Sequence, residues 1–283
     1  MAVWRRIFLG LYVGAGIVGA GLVGLTASAP AFAFDGSDKS LPEGRALDMF
    51  KDPRQALQAA LEGINTGNSV SSVEALKYAA AGGESLAQWK LGKMYADGDG
   101  VPHDDFKAYQ YFQAIVDSYD EDNANWREKS VVASAYVAVG VFELNGIPGS
   151  RLRPDPEAAL RMFLYAATNF SDSNAQYNLA RLYMDGAAGL AKDNRQAARW
   201  LNLAAEKGHV ESQALLGHLL FVGEGMQPRR ARGLMWLTLA REGATGKGQQ
   251  WVDALYQQDL KAADDNDRQA ALVYLEEHMK KRN

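Results

Sequence analysis

One line of this chain is written several times, and the repetition limits what it can fold into. Gln88 to Gly98 reads Gln-Trp-Lys-Leu-Gly-Lys-Met-Tyr-Ala-Asp-Gly. The line returns from Gln176 to Gly186 and again from Gln213 to Gly223, with a weaker copy from Tyr136 to Phe142. The same apolar position is Leu91, Val139, Leu179 and Leu216, at intervals of 48, 40 and 37 residues. A period near forty residues fits a pair of helices, and helical pairs that repeat bury their apolar faces by stacking on one another. The long first interval requires an insertion, and the charged stretch from Ser118 to Lys129 lies where one belongs.

The helices can be placed from their end signals. Asp52-Pro53 is an N-cap followed by proline at the first helical position, and Ala56, Leu57, Ala60, Leu61 and Ile64 then share a face. After the turn Asn65 to Asn68, Ser72 is expected to cap a second helix that Gly82-Gly83 ends. The repeated line supplies the first helix of each later hairpin. The second helices open near Asp104, at Asp155-Pro156, near Gln196 and at Pro228. A last pair is expected from about Gln249 to Lys261 and from Asp267 to Lys281. The chain from 52 to 283 is therefore expected to form about six helical hairpins. Gly92, Gly140 and Gly217, with Ala180 in the same place, fall in mid-helix, where glycine costs up to about 1 kcal/mol against alanine. Close approach of the paired helix is the compensation to look for. Gly98, Gly146, Gly186 and Gly223 fall in turns, where positive φ is expected.

Residues 1–33 have another character. Arg5 and Arg6 precede an uncharged, glycine-rich run from Ile7 to Leu25, and Ala31-Phe32-Ala33 is an A-x-A cleavage site. The segment reads as an export signal, with a flexible leader over 34–51. The apolar run exceeds the usual core of about 7–15 residues and approaches the roughly 20 that span a bilayer, so an uncleaved anchor is the alternative. Arg5-Arg6-Ile7-Phe8-Leu9 resembles a twin-arginine core with a short n-region, leaving the export route open. Membrane contact is expected only through this segment. Removing it takes two of the 30 basic residues and none of the 34 acidic ones, so the mature chain is more acidic than the formal net charge of −4. Such a chain is repelled by anionic lipid, and without a basic stripe it is not expected to bind nucleic acid. The absence of cysteine excludes disulfides and thiolate metal sites and suits an oxidising compartment.

Motifs for chemistry are weak. Two G-x-G-x-x-G strings, at Gly14–Gly19 and Gly19–Gly24, lie in the export segment and lack the βαβ context that gives the fingerprint meaning. His103, His209, His218 and His278 form no H-E-x-x-H or tight pair, and solvated or capping roles are expected of them. Asp97, Asp99, Asp104 and Asp105 fail the calcium-loop pattern because Val101 stands where an oxygen ligand belongs and no glutamate closes the loop. Turn formation and capping explain them. There is no G-x-S-x-G elbow and no S-x-x-K. No catalytic residue, cofactor site or metal site is expected. Trp200 and Trp236 recur in second helices and read as packing between hairpins. Trp126, in the polar insert with Arg127 and Tyr119, is unusual, because exposed aromatics anchor interfaces. These three residues are candidate partner contacts, and packing of Trp126 on its neighbouring hairpin is the alternative.

The pattern A/S-Q-x-x-L-G/A-x-L/M-Y-x-x-G, a glycine-rich turn, then A-x-x-W/Y/F and AA-x-x-G resembles the Sel1-like repeat. Trp200 to Leu203 and Ala204 to His209 fit it. The resemblance implies an all-α fold, an α/α solenoid or superhelix of TPR-related hairpins that serves as an adaptor. Phe34-Asp35, Trp89 to Leu91, Asp97 to Val101, Gly146 to Gly149, Ala175-Gln176 with Leu179 to Arg181, and Arg232 to Leu234 are similar to the ExoR-type periplasmic regulators. That likeness implies a periplasmic protein that binds the sensor domain of a membrane histidine kinase. It would hold the kinase off, repress exopolysaccharide synthesis, and be relieved by regulated proteolysis. Two other classes stand beside it: an envelope scaffold for cell-wall or secretion machinery, and an envelope hydrolase of the kind with paired cysteines, which this chain lacks.

Overall fold

The computed structural model describes residues 50, 52–65, 69–122 and 128–282. The expected export segment lies outside them, as does all of the expected leader except Phe50. The described residues form twelve α-helices and one 3₁₀ turn, with no strand among them. The helices are α1 (Pro53–Asn65), α2 (Ser69–Ala81), α3 (Ser85–Asp97), α4 (Asp105–Ser118), α5 (Lys129–Asn145) and α6 (Pro156–Asn169). They continue as α7 (Ser173–Asp185), α8 (Asn194–Glu206), α9 (Val210–Val222), α10 (Arg230–Gly243), α11 (Gln249–Ala262) and α12 (Asp265–Arg282). The chain divides into two compact units between Asp120 and Glu121. In the first, α1 pairs with α2, α3 with α4, and α2 lies against α3. In the second, α5/α6, α7/α8 and α9/α10 are hairpins, stacked through α6 on α7 and α8 on α9, and α11 and α12 close the end against α9 and α10.

The second helices carry the inner packing code. Ala108-Phe112-Ile115 of α4, Ala159-Phe163-Ala166 of α6 and Ala197-Leu201-Ala204 of α8 are almost wholly buried, at the same spacing in each helix. In α10 the set is Gly233-Leu237-Ala240. The mid-helix glycines face these positions. A β-carbon on Gly92 would lie 2.7 Å from the Phe112 ring, and one on Gly140 would lie 2.6 Å from the Phe163 ring. Gly217 faces Leu237 and the backbone itself, since its β-carbon would stand 2.8 Å from the Gly233 carbonyl oxygen. The helix-propensity cost of glycine is thus offset by dense packing.

Each repeat hairpin is also closed by the same backbone bond. The N–H before the second helix donates to the end of the first: Asp104 to Tyr95, Asp155 to Glu143, Asp193 to Tyr183 and Arg229 to Leu220, at 2.9, 2.6, 2.9 and 2.7 Å. The intervening turns need left-handed glycine, and Gly98, Gly146, Gly186 and Gly223 have φ of 69°, 65°, 67° and 76°. The repeated glutamine locks one hairpin onto its predecessor. The amides of Gln88, Gln176 and Gln213 donate to the carbonyls of Ala80, Ala167 and Ala205, at 3.2, 3.4 and 3.1 Å. These carbonyls lie at helix C-terminal ends, which lack intrahelical partners. Tyr136 takes the glutamine position in α5, and its ring stacks on Tyr165 of α6 at 4.6 Å.

One expected cap is corrected. Ser72 does not start α2, which already runs from Ser69, and Ser72 is buried at 2 % exposure. Ser72 shares the buried face with Val73, Leu76 and Ala79, and the helix begins one turn upstream of it, at Ser69.

Candidate partner-binding groove

Three of the four repeats start their second helix with an aspartate cap. Asp104 accepts from the Lys107 N–H, Asp155 from Ala158, and Asp193 from both Arg195 and Gln196, all between 2.9 and 3.0 Å. At α10 the cap position is Arg229, and no side chain caps the helix. An aspartate cap contributes about 0.5–2 kcal/mol, and a cation at a helix N-terminus opposes the macrodipole. Arg230 and Arg232 follow within the first turn. Local rules broken at one repeat and kept at three mark a candidate functional site.

A groove of about 710 Å³ opens at this point in the second unit. One wall is α8, with Arg195, Arg199 and the 47 %-exposed Leu203. The other is the turn after α9 and the start of α10, with Met226, Arg229 and Arg232. Leu216, Leu220 and Trp236 form an apolar floor. Trp236 is only 4 % exposed, and its ring meets His278 edge-on at 5.0 Å. Arg229 and Arg232 also line a second pocket of about 510 Å³, beside Asp267 and Tyr274.

The guanidinium groups are unevenly satisfied. Arg230 reaches Asp267 at 3.0 Å, donates to the Ala262 carbonyl and sits over the Phe221 ring at 4.5 Å. Arg195 donates to the Gly225 carbonyl at 3.0 Å, which fixes α8 to the turn after α9. Asn194 supports the same junction through the Glu224 carbonyl at 3.1 Å, and Lys192 holds the Glu224 carboxylate at 2.7 Å. Arg232 lies over the Tyr274 ring at 5.1 Å. Among the described residues, Arg199 and Arg229 have no carboxylate partner. The result is a positive, apolar-floored groove on a chain whose net charge is −4.

Of the three sequence-predicted contacts, only Tyr119 lies among the described residues. Trp126 and Arg127 lie outside the described residues. Tyr119 follows α4 as its C-terminal cap, half-buried, with its N–H donating to the Val116 carbonyl at 3.3 Å. The arginine groove was missed, although Arg229-Arg230-Ala231-Arg232 and the one-turn spacing of Arg195 and Arg199 are visible signals. No stripe runs along one segment; folding brings together two segments some thirty residues apart.

The histidines divide. His103 donates its Nδ1–H to the Ala96 carbonyl at 2.9 Å, and His209 caps α9 by accepting the Ser212 N–H, as expected of turn residues. Burial pushes the His209 pKa below the usual histidine value, against the opposing pull of Glu211 and Asp172. His218 departs from the expected solvated or capping role. It is 7 % exposed and meets the 2 %-exposed Asp259 of α11 at 2.8 Å. The pairing spans 41 residues, so no local spacing announces it. Among the described residues no group of three or more His, Asp or Glu side chains could hold a metal ion. Among them, too, no helix is long and apolar enough to cross a membrane.

The model of the Sel1 repeat matches residues 85–117, 133–169, 173–209 and 210–243, which are the α3/α4, α5/α6, α7/α8 and α9/α10 hairpins. An exopolysaccharide production negative regulator of Rhizobium leguminosarum bv. viciae is 32 % identical over 250 residues, 88 % of each chain. Its counterpart in Rhizobium meliloti is 30 % identical over 251 residues, 89 % of this chain and 88 % of that one. Among solved structures, a protective antigen of uropathogenic Escherichia coli with an SLR fold aligns at TM-score 0.65 and 20 % identity, over 81 % of this chain and 46 % of that one. A Sel1 repeat protein from Oxalobacter formigenes aligns at TM-score 0.60 and 22 % identity, over 81 % and 88 %. These likenesses establish the all-α solenoid fold.

Proposed function

The chain belongs to the Sel1-repeat family of exopolysaccharide production negative regulators, and from that membership we propose that it is itself such a regulator. It acts in the periplasm, without catalysis, by binding the sensor domain of a membrane histidine kinase. The observation that carries the regulatory reading is the near-full-length similarity to two regulators of that kind. The periplasmic location is supported by the Arg5-Arg6 start, the apolar run and the Ala31-Phe32-Ala33 site. Protein binding is supported by the repeat architecture, in which the shared residues are spent on internal packing and the unshared ones are left to face a partner.

Repression requires preference between states. A bound protein shifts a kinase toward its inactive conformation only by the difference in its affinity for the two conformations. Moving an equilibrium from 1:99 to 99:1 takes about 5.5 kcal/mol of such preference.

The test pairs a deletion with a binding measurement. Loss of the gene is expected to raise exopolysaccharide output. The purified protein is expected to bind the isolated sensor domain at micromolar concentration or tighter. Unchanged exopolysaccharide on deletion, together with no binding, overturns the reading. A pull-down that returns murein-remodelling proteins in place of a kinase would favour the scaffold.

A further inference from the structure

We propose that the groove between α8 and the start of α10 binds an acidic polypeptide segment with one apolar side chain set among its carboxylates. The proposal rests on the reading that the protein works by holding a protein partner, and it identifies the chemistry of the part held.

Two independent features of the groove favour carboxylates. Guanidinium groups stand on both walls, Arg195 and Arg199 on one and Arg229 and Arg232 on the other, at a groove where the described residues leave Arg199 and Arg229 without carboxylates. Arginine forks suit carboxylates, which they bind in two parallel hydrogen bonds. The second feature is a break in the repeat. Asp104, Asp155 and Asp193 each supply a carboxylate to the start of their helix, and α10 has Arg229 in that place. The acidic group found in the other three repeats is absent from this chain's α10, and a segment bearing carboxylates restores it.

The floor selects polypeptide over other polyanions. Leu220 and Met226, with Leu203 at the rim, offer apolar surface that a phosphate or a uronic-acid polymer would leave uncovered. Sugars and bases would use an aromatic face, and the one aromatic ring lining the groove, Trp236, is 4 % exposed and occupied edge-on by His278. Without an open face there is no stacking platform of the kind single-stranded nucleic acid needs. A leucine-sized side chain flanked by carboxylates matches both the floor and the walls. The volume of about 710 Å³ accommodates such a segment.

Fluorescence anisotropy with a labelled nonapeptide, one leucine flanked on each side by four glutamates, tests this directly on the purified protein. Binding is expected at tens of micromolar or tighter in low salt, weakening with added salt as exposed ion pairs do. Arg199→Glu with Arg229→Glu should weaken it about tenfold or more. The milder pair Arg199→Gln with Arg229→Gln should weaken it about threefold, with circular dichroism confirming that both variants are folded. Replacing the probe leucine by serine should weaken binding several-fold, and lysine in place of glutamate should abolish it. Equal binding by wild type and the double variants overturns the proposal. So does a serine probe that binds as well as the leucine one, or an oligogalacturonate that binds more tightly than the peptide. The same variants assayed against the kinase sensor domain separate the two ideas. Wild-type binding that survives Arg199→Glu/Arg229→Glu removes the groove and leaves the regulatory reading intact. Probe binding at the groove without any sensor-domain binding removes the kinase and leaves the groove.

Discussion

The α7/α8 and α9/α10 hairpins are neighbours built on the same line of sequence, yet they begin their helices differently. In α7/α8 both helices start from aspartates, Asp172 and Asp193, whose carboxylates accept backbone N–H bonds at 2.8–3.0 Å. In α9/α10 the corresponding residues are His209 and Arg229. The interiors agree, since Leu179 and Leu201 of one hairpin and Leu216 and Leu237 of the other are all buried. The difference teaches where a repeat protein is free to specialise. Packing positions are held by every neighbour that stacks on them, whereas cap positions at the hairpin ends answer only to local stability and can be given to a partner.

The comparison breaks most severely at the helix crossing. Where α8 has Ala197, α10 has Gly233, and a β-carbon there would lie 2.5 Å from the Gly217 carbonyl oxygen and 2.8 Å from the Phe221 nitrogen. Backbone cannot step aside as a side-chain terminus can. Gly233→Ala is therefore expected to destabilise the protein by about 3 kcal/mol, the upper end for overpacking. Ala197→Gly in the neighbouring hairpin should cost only about 1 kcal/mol, its loss of helix propensity. Urea unfolding of the two variants reads the contrast, and equal effects would mean that the two crossings are equivalent.

Next in size is the buried pair that α9 makes and α7 does not. At the repeat position of His218, α7 carries Arg181, whose guanidinium lies over Tyr177 at 5.6 Å. His218 is sealed because α11 brings Asp259 onto it. Asp259→Ala leaves a buried ring nitrogen without its partner, which costs about 2 kcal/mol. Arg181→Ala, at a half-buried position beside Tyr177, should cost less, about 1 kcal/mol. Thermal unfolding distinguishes them.

Arg229 offers a sharper test, because stability and binding should move in opposite directions. Arg229→Asp restores the cap that α4, α6 and α8 possess and is expected to stabilise the protein by about 1 kcal/mol. The same change should weaken the acidic peptide about tenfold. A variant that lost stability would show that the arginine is there for the fold, and the argument from a forgone cap would end.

How much of this could be read from the chain follows the same division. The mid-helix glycines announced close helix packing because a costly residue recurred at one register, and Phe112 and Phe163 are the rings that fill the space. The turns were legible from Gly98, Gly146, Gly186 and Gly223 for a similar reason. Gly233 escaped notice because its counterparts are alanines, so no repetition marked it. Asp259 and His218 meet only through the packing of α11 on α9, which no periodicity records. The arginines of α10 were visible, but their meaning depended on noticing that aspartate had been replaced, and on Arg195 and Arg199 approaching from another hairpin. Gln88, Gln176 and Gln213 were recognised as a repeated letter, while their bonds to preceding helices emerged only in three dimensions.

The smallest expected effect lies at the other unusual cap. His209 can accept the Ser212 N–H at Nδ1 only while that nitrogen carries no proton, and its Nε2–H is then free to donate to Asn174 Oδ1 at 3.2 Å. Three groups face it: Glu211 at 3.6 Å, Asp172, and the Tyr177 ring with centroids 5.3 Å apart. The two carboxylates favour the imidazolium, but burial outweighs them and lowers the pKa in the folded state. A histidine with a lowered folded pKa binds protons more readily when unfolded. Its contribution is therefore complete above the ordinary value of about 6.5 and is lost as pH falls below it. Between pH 7.5 and 5.5 the wild type should lose about 2 °C more in Tm than His209→Asn, which caps without titrating. The α7 cap sharpens the test, because Asp172→Asn removes one of the carboxylates that favour the imidazolium and should enlarge the His209-dependent part of that difference. If His209→Asn and wild type lose stability in parallel across this range, the imidazole is not the group that makes the α9/α10 hairpin sensitive to acid.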